Sequence, residues 1–131
     1  ASYVSYVRSG NQVTISGQLS NDANGGIKGT VGVDVTPEQA LEAARLCGLN
    51  LIAQIKAACD GDLDRVVRIV KLGGFVQAGP DFTAIPAVIN GCSDMMVDVF
   101  GDAGKHARSA VGVYKLPLGF AVEIDAIVEI R

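Results

Sequence analysis

The chain has 131 residues, 49% of them apolar, 19% charged, and a formal net charge of −3. That length suits one domain, residues 1–131, with a core of its own. The acidic balance and scattered basic residues argue against generic nucleic-acid binding, which needs clustered Lys and Arg, and no apolar run reaches the roughly 18–20 residues that cross a bilayer.

Tryptophan is absent and aromatics are few, so the core must be built from Val, Ile, Leu and Ala. The three cysteines, Cys47, Cys59 and Cys92, show no Cys-x-x-Cys spacing. They read as buried free thiols of a reducing compartment, and no basic segment leads into an apolar signal stretch, so the expected location is cytoplasmic. A single histidine without a carboxylate at helical ligand spacing is poor zinc chemistry. No P-loop or GxGxxG is present, so neither a metal nor a cofactor is expected.

In chain order, Tyr3–Arg8 alternates and reads as a strand. Ser9-Gly10-Asn11 turns it into a second strand, Gln12–Ser16. Gly17 to Gly32 is rich in Gly, Asn, Asp and Ser and reads as a long functional or interface loop, with a short extended piece at Lys28–Val31. Thr36, Pro37 and Gln39 form a capping box with Pro at the first helical position. The helix they open should run to about Ala58, with Ala40, Leu41, Ala44, Cys47, Leu51, Ile55 and Ala58 on its buried stripe. Asp62–Arg65 is a connector. Val66–Val76 is β-branched, with apolar groups on both faces; Gly73-Gly74 signals a bulge or a close backbone approach. Asp81 and Thr83 are candidate caps of a second helix that ends before Gly101 and buries Ile85, Val88, Ile89, Met95, Met96, Val99 and Phe100.

His106–Glu123 carries the chemistry. It holds the only histidine, an arginine two residues later, a Leu-Pro turn and a glutamate on the following strand, which should run from about Phe120 to Ile130. Period 2 puts Arg108 on one face with Ala110 and Gly112, so something can approach its head group. An arginine fork suits a carboxylate bidentately, and Glu123 can carry protons. The alternative is a cross-strand ion pair between Arg108 and Glu123. His106 reads as a strand-start residue bonding a neighbouring carbonyl, or as a proton relay; the first is preferred. Tyr114 and Lys115 are expected at the surface.

Strand, strand, helix, strand, helix, strand, strand is an α+β order, with two helices on one face of a mixed sheet. Val13, Ile15, Val67, Ile69, Val111, Val113, Val122 and Ile124 cannot all lie beneath those helices. The remaining apolar face should be covered by further copies of the chain in a closed ring.

Ser16-Gly17-Gln18, Asp81-Phe82 with Asn90, Ala107-Arg108-Ser109, Leu116-Pro117 and Val122-Glu123-Ile124 occur in the order and spacing of the Rid, or YjgF-like, family of reactive-intermediate deaminases. The resemblance covers nearly the whole chain. It implies a chorismate-mutase-like α+β fold and a homotrimer with clefts between subunits. It also implies hydrolysis of 2-aminoacrylate and related 2-imino acids to 2-keto acids and ammonia. By resemblance, Arg108 binds the substrate carboxylate, Glu123 holds the attacking water, and Tyr3, Ser16, Asn90 and Ser109 line the cleft. Asn90 matches only if about four extra residues, within Gly79–Pro86, are allowed. Ala110 stands where many members carry cysteine, and His106 where many carry proline, so the branch is atypical. Two other readings compete: a trimeric binder of small carboxylates, needing Arg108 alone, and a ribonuclease or translation inhibitor, which the acidic balance disfavours.

Overall fold

The computed structural model describes residues 1–131, folded into one five-stranded sheet with two helices on one face. The strands are β1 (Tyr6–Ser9), β2 (Gln12–Leu19), β3 (Val66–Gln77), β4 (Ala107–Val113) and β5 (Val122–Ile130); the helices are α1 (Pro37–Ala58) and α2 (Ile85–Phe100). Spatial order is β1-β2-β5-β3-β4. All pairings are antiparallel except β3 with β4, which are parallel and joined through α2. A parallel pair cannot be closed by a hairpin, so the crossover helix returns the chain to the same end of the sheet. This corrects the expectation that Arg108 and Glu123 sit on paired strands: β3 runs between them.

Sequence chemistry explains the elements. Thr36 Oγ1 accepts from the Gln39 backbone N–H and Gln39 Oε1 from that of Thr36, completing the expected capping box. The buried face of α1 is rotated from the expected stripe: Ala43 and Gly48 are buried, whereas Leu41 is 41% exposed. The reason is α2. Gly91 faces the Leu41 carbonyl and Ala44, and Gly48 faces Met95 and Cys92, so the helices cross where neither has room for a larger side chain. Helix α2 has Ala84 at its N-cap and no side-chain cap bond, so Asp81 and Thr83 do not cap it. It ends at Gly101, in the left-handed region at φ 62°. Val99 is 48% exposed, against expectation, because it falls beyond the stripe that meets the sheet.

Three further boundaries move. The first strand begins at Tyr6, not Tyr3; the second continues through an irregularity between Ile15 and Gln18 as far as Leu19; the last begins at Val122, not Phe120. Gly73-Gly74 is a close approach and not a bulge: Gly74 lies under Ile89, and Gly73 under the Asp125 carboxylate. The bulges of β3 fall earlier, between Val66 and Arg68 and between Ile69 and Lys71. The Gly17–Gly32 region closes on the sheet through buried polar anchors. Ser20 Oγ donates to the Ile27 carbonyl and accepts from the Val122 N–H, and Gln77 Nε2 donates to the Gly29 carbonyl. The expected extended piece survives as isolated bridges from Lys28 to Phe120 and from Val31 to Val35 and Ala78.

Helix-facing residues of the sheet, among them Val13, Ile15, Leu72, Val122 and Ile124, are buried with α1 and α2 in one core. The opposite face is open and carries Val7, Val67, Val111, Phe75 and Ile127 among polar groups. All three cysteines are free and buried. No helix is long and apolar enough to cross a membrane.

Candidate functional site

The crossover β3-α2-β4 builds a polar cluster at the sheet edge. Arg108 lies opposite Leu72, whose side chain is in the core, so period 2 directs Arg108 to the helix side of β4. There it meets α2. Arg108 Nη1 donates to Asn90 Oδ1 at 2.7 Å and to Ser93 Oγ at 3.1 Å. Asn90 and Ser93 are three apart and share one helix face. Arg108 enters none of the chain's three ion pairs, which join Arg45 to Glu42, Arg65 to Asp60 and Lys105 to Asp102. Nη1 therefore takes up two of the five guanidinium N–H groups, and the edge formed by Nε and Nη2 has no acceptor within the chain.

The cluster continues to His106. Ser93 Oγ lies 2.8 Å from His106 Nε2, and His106 Nδ1 lies 2.6 Å from the Gly104 carbonyl oxygen. The carbonyl bond matches the structural role expected for His106. The serine bond was not foreseen; its only signal was that Ser93 follows Asn90 by one helical turn. Cys92 lies beneath, its thiol pushed up to about 12 by burial, with Arg108 pulling the other way. It stays a protonated core thiol, as does Cys47, which burial also raises.

Glu123 is elsewhere. Its neighbours Val122 and Ile124 are buried under the helices, so Glu123 projects from the open face, half-buried and packed over Gly17. Burial raises its pKa, and Asp125 two residues on adds to the rise. Burial raises Asp125 as well, against a bond from the Gly73 N–H and the Lys71 charge. Ser109 also faces the open side, in a shallow cavity of about 310 Å³ with Lys71, Gly73, Phe75, Asp125 and Ile127. Within one chain the sheet thus separates Arg108 and Asn90 from Glu123 and Ser109. The alternative reading, a cross-strand ion pair between Arg108 and Glu123, does not hold.

Of the remaining expected site residues, Ser16 Oγ donates to the Val4 carbonyl at 2.7 Å and ties the first residues down. Tyr3 precedes β1, at the opposite edge of the sheet from Arg108's strand β4, and is 75% exposed. A larger, mostly apolar depression of about 800 Å³ opens farther along β4, among Phe82, Ile85, Gly112, Tyr114 and Lys115. Gly79, Pro80, Phe82, Thr83 and Ile85, from the segment before and at the start of α2, supply part of its wall.

Residues 1–128 match the family described as YjgF/chorismate mutase-like, putative endoribonuclease. The chain is 51% identical to Protein TCP17 of Trypanosoma cruzi, over 98% of this chain and 81% of that one. It is similar to the crystal structure of Atu1372, a protein of unknown function from Agrobacterium tumefaciens, with a TM-score of 0.98, 47% identity, and 100% and 83% of the two chains covered. It is also similar to E. coli TdcF, solved with bound serine, with a TM-score of 0.65, 27% identity, and 100% and 89% covered.

Proposed function

The chain belongs to the YjgF/chorismate mutase-like family, and from that premise we propose that it is an imine deaminase working as a homotrimer. Its substrates are small 2-imino acids and their enamine tautomers; its products are 2-keto acids and ammonia. The observation that carries this reading is the guanidinium of Arg108, held at Nη1 by Asn90 and Ser93 with its Nε–Nη2 edge free for a carboxylate. TdcF, a relative that binds serine, lends support, since serine presents a carboxylate beside an aminated carbon. Arg108 and Glu123 leave opposite faces of one sheet, so a cleft using both takes Arg108 from one subunit and Glu123 from the next. The open apolar face supports the same assembly, because a sheet face of that kind is covered when copies pack together.

The chemistry needs little else. Arg108 grips the carboxylate and orients the adjacent imine carbon. Glu123 accepts a proton from water as its oxygen bonds to that carbon, and the C=N π electrons pass to nitrogen. Glu123 returns that proton to nitrogen, giving the carbinolamine; it then takes the hydroxyl proton and passes it to nitrogen as the C–N bond breaks, so that ammonia leaves and the ketone C=O forms. A carboxyl raised by burial is suited to such two-way transfer.

The test has two parts. In solution the protein should have three times the 13.5 kDa chain mass. In a coupled assay on 2-iminopropanoate, Arg108→Ala and Glu123→Gln homotrimers should each be nearly inactive, while mixed trimers of the two recover part of the activity, because some clefts pair an intact arginine with an intact glutamate. No recovery from correctly mixed trimers, with both parents folded, refutes the shared cleft. Pyruvate binding without turnover by the wild type would identify a carboxylate-binding module instead.

A further inference from the structure

We propose that Ser93 and His106 are positioning residues for Arg108, setting the direction in which its free edge faces the ligand; this rests on Arg108 being the carboxylate clamp. The bond directions follow from what each atom can do. The Gly104 carbonyl can only accept, so His106 Nδ1, 2.6 Å away, carries a hydrogen. In the neutral ring Nε2 is then an acceptor, and the Ser93 hydroxyl, 2.8 Å away, donates to it. With its hydrogen turned to the imidazole, Ser93 Oγ presents lone pairs to Arg108 Nη1 at 3.1 Å. The series runs one way: arginine to serine, serine to histidine, histidine to main-chain carbonyl.

Its far end is rigid. Gly104 is buried and closes the 3-10 turn Gly101–Gly104 that ends α2, packed against the Met96 carbonyl where no Cβ fits. Its near end is shared with Asn90 on the same helix face. Arginine has many rotamers, and a flexible guanidinium loses freedom each time it grips a ligand. Two acceptors on Nη1 remove that freedom beforehand and leave the Nε–Nη2 edge as the one without a partner in the chain. Asn90 alone fixes one point; Ser93, oriented by His106, supplies the second and so sets the plane.

The experiment compares Ser93→Ala, Ser93→Thr and His106→Phe with the wild-type trimer, each checked for fold by circular dichroism. The first readout is pyruvate titration and the KM against kcat split on 2-iminopropanoate. Ser93→Ala and His106→Phe should raise Kd and KM by roughly tenfold, the factor equal to about one net hydrogen bond, with a smaller change in kcat. Ser93→Thr, which keeps the hydroxyl, should restore most of it. The second readout needs no ligand. In low-temperature nitrogen-resolved NMR, Arg108 Nη signals, assigned by their loss in Arg108→Lys, should be separate in the wild type and averaged in Ser93→Ala and His106→Phe. A folded Ser93→Ala with unchanged Arg108 signals overturns the proposal, as does a folded His106→Phe with wild-type pyruvate affinity. If the wild type neither binds pyruvate nor turns over the imine, the function assigned above fails, and the guanidinium spectra still decide whether Ser93 and His106 hold Arg108.

Discussion

Arg108→Lys separates charge from shape. The wild-type guanidinium has Nη1 committed to Asn90 and Ser93 and offers a ligand two parallel N–H groups, on Nε and Nη2. A lysine ammonium keeps the charge but donates from a single point, so a bidentate grip becomes at most one strong bond. One hydrogen bond to a charged group is worth about 1.5–3 kcal/mol, which corresponds to roughly a 10- to 150-fold loss of affinity. Stability should hardly respond. Arg108 has no ion pair to lose, and its two bonds lie near solvent, so a cost of at most about 1 kcal/mol and a thermal midpoint shift below about 5 °C are expected. Calorimetric titration with pyruvate and a thermal melt measure both quantities. Pyruvate affinity within threefold of wild type in a folded Arg108→Lys protein would show that charge alone suffices, and the fork argument would be wrong.

Other outcomes follow from single contacts. Burial and Asp125 raise the Glu123 pKa, so the folded chain keeps a proton there at pH values where the unfolded chain has lost it. That contribution to stability is complete below the ordinary carboxylate range and disappears as pH rises through the raised value. Glu123→Gln should therefore flatten the fall in urea midpoint as pH rises above the ordinary carboxylate range; an unaltered slope contradicts the assignment. A Cβ at Gly74 would stand 2.7 Å from Ile89 Cδ1 and Cγ1 in the core, so Gly74→Ala should destabilise by about 1–3 kcal/mol through overpacking, read by urea unfolding. Gly17→Ala would press on the Glu123 carboxylate. It should slow imine turnover while leaving pyruvate affinity near wild type, and a selective loss of affinity would argue against a water-holding role for Glu123.

The capping box, the ends of α1, the crossover helix with its terminal glycine and the alternation of β5 were legible because each depends on residues a few positions apart. Thr36 and Gln39 bond each other whatever lies around them. Leu41 and Val99 were misread because their exposure depends on where α2 crosses α1 and the sheet. The caps assigned to Asp81 and Thr83 failed for a related reason. The segment before α2 turns outward to wall the depression beside Gly112, and Ala84 takes the N-cap. Asn90 was named through resemblance; Ser93 was not, since a serine one turn away has no distinguishing pattern until Arg108 lies beneath it.

By itself the sequence determined the α+β class, the aliphatic single core, the buried thiols and the small-residue face around Arg108, because periodicity and local bonding decide those features. Only the tertiary structure decided strand neighbours. It put β3 between the arginine and glutamate strands, sent Arg108 and Glu123 to opposite faces, and set Ser93 and His106 behind the guanidinium. Pairing order in a sheet is fixed by contacts between residues distant along the chain, and no short-range pattern records which strand will lie beside which.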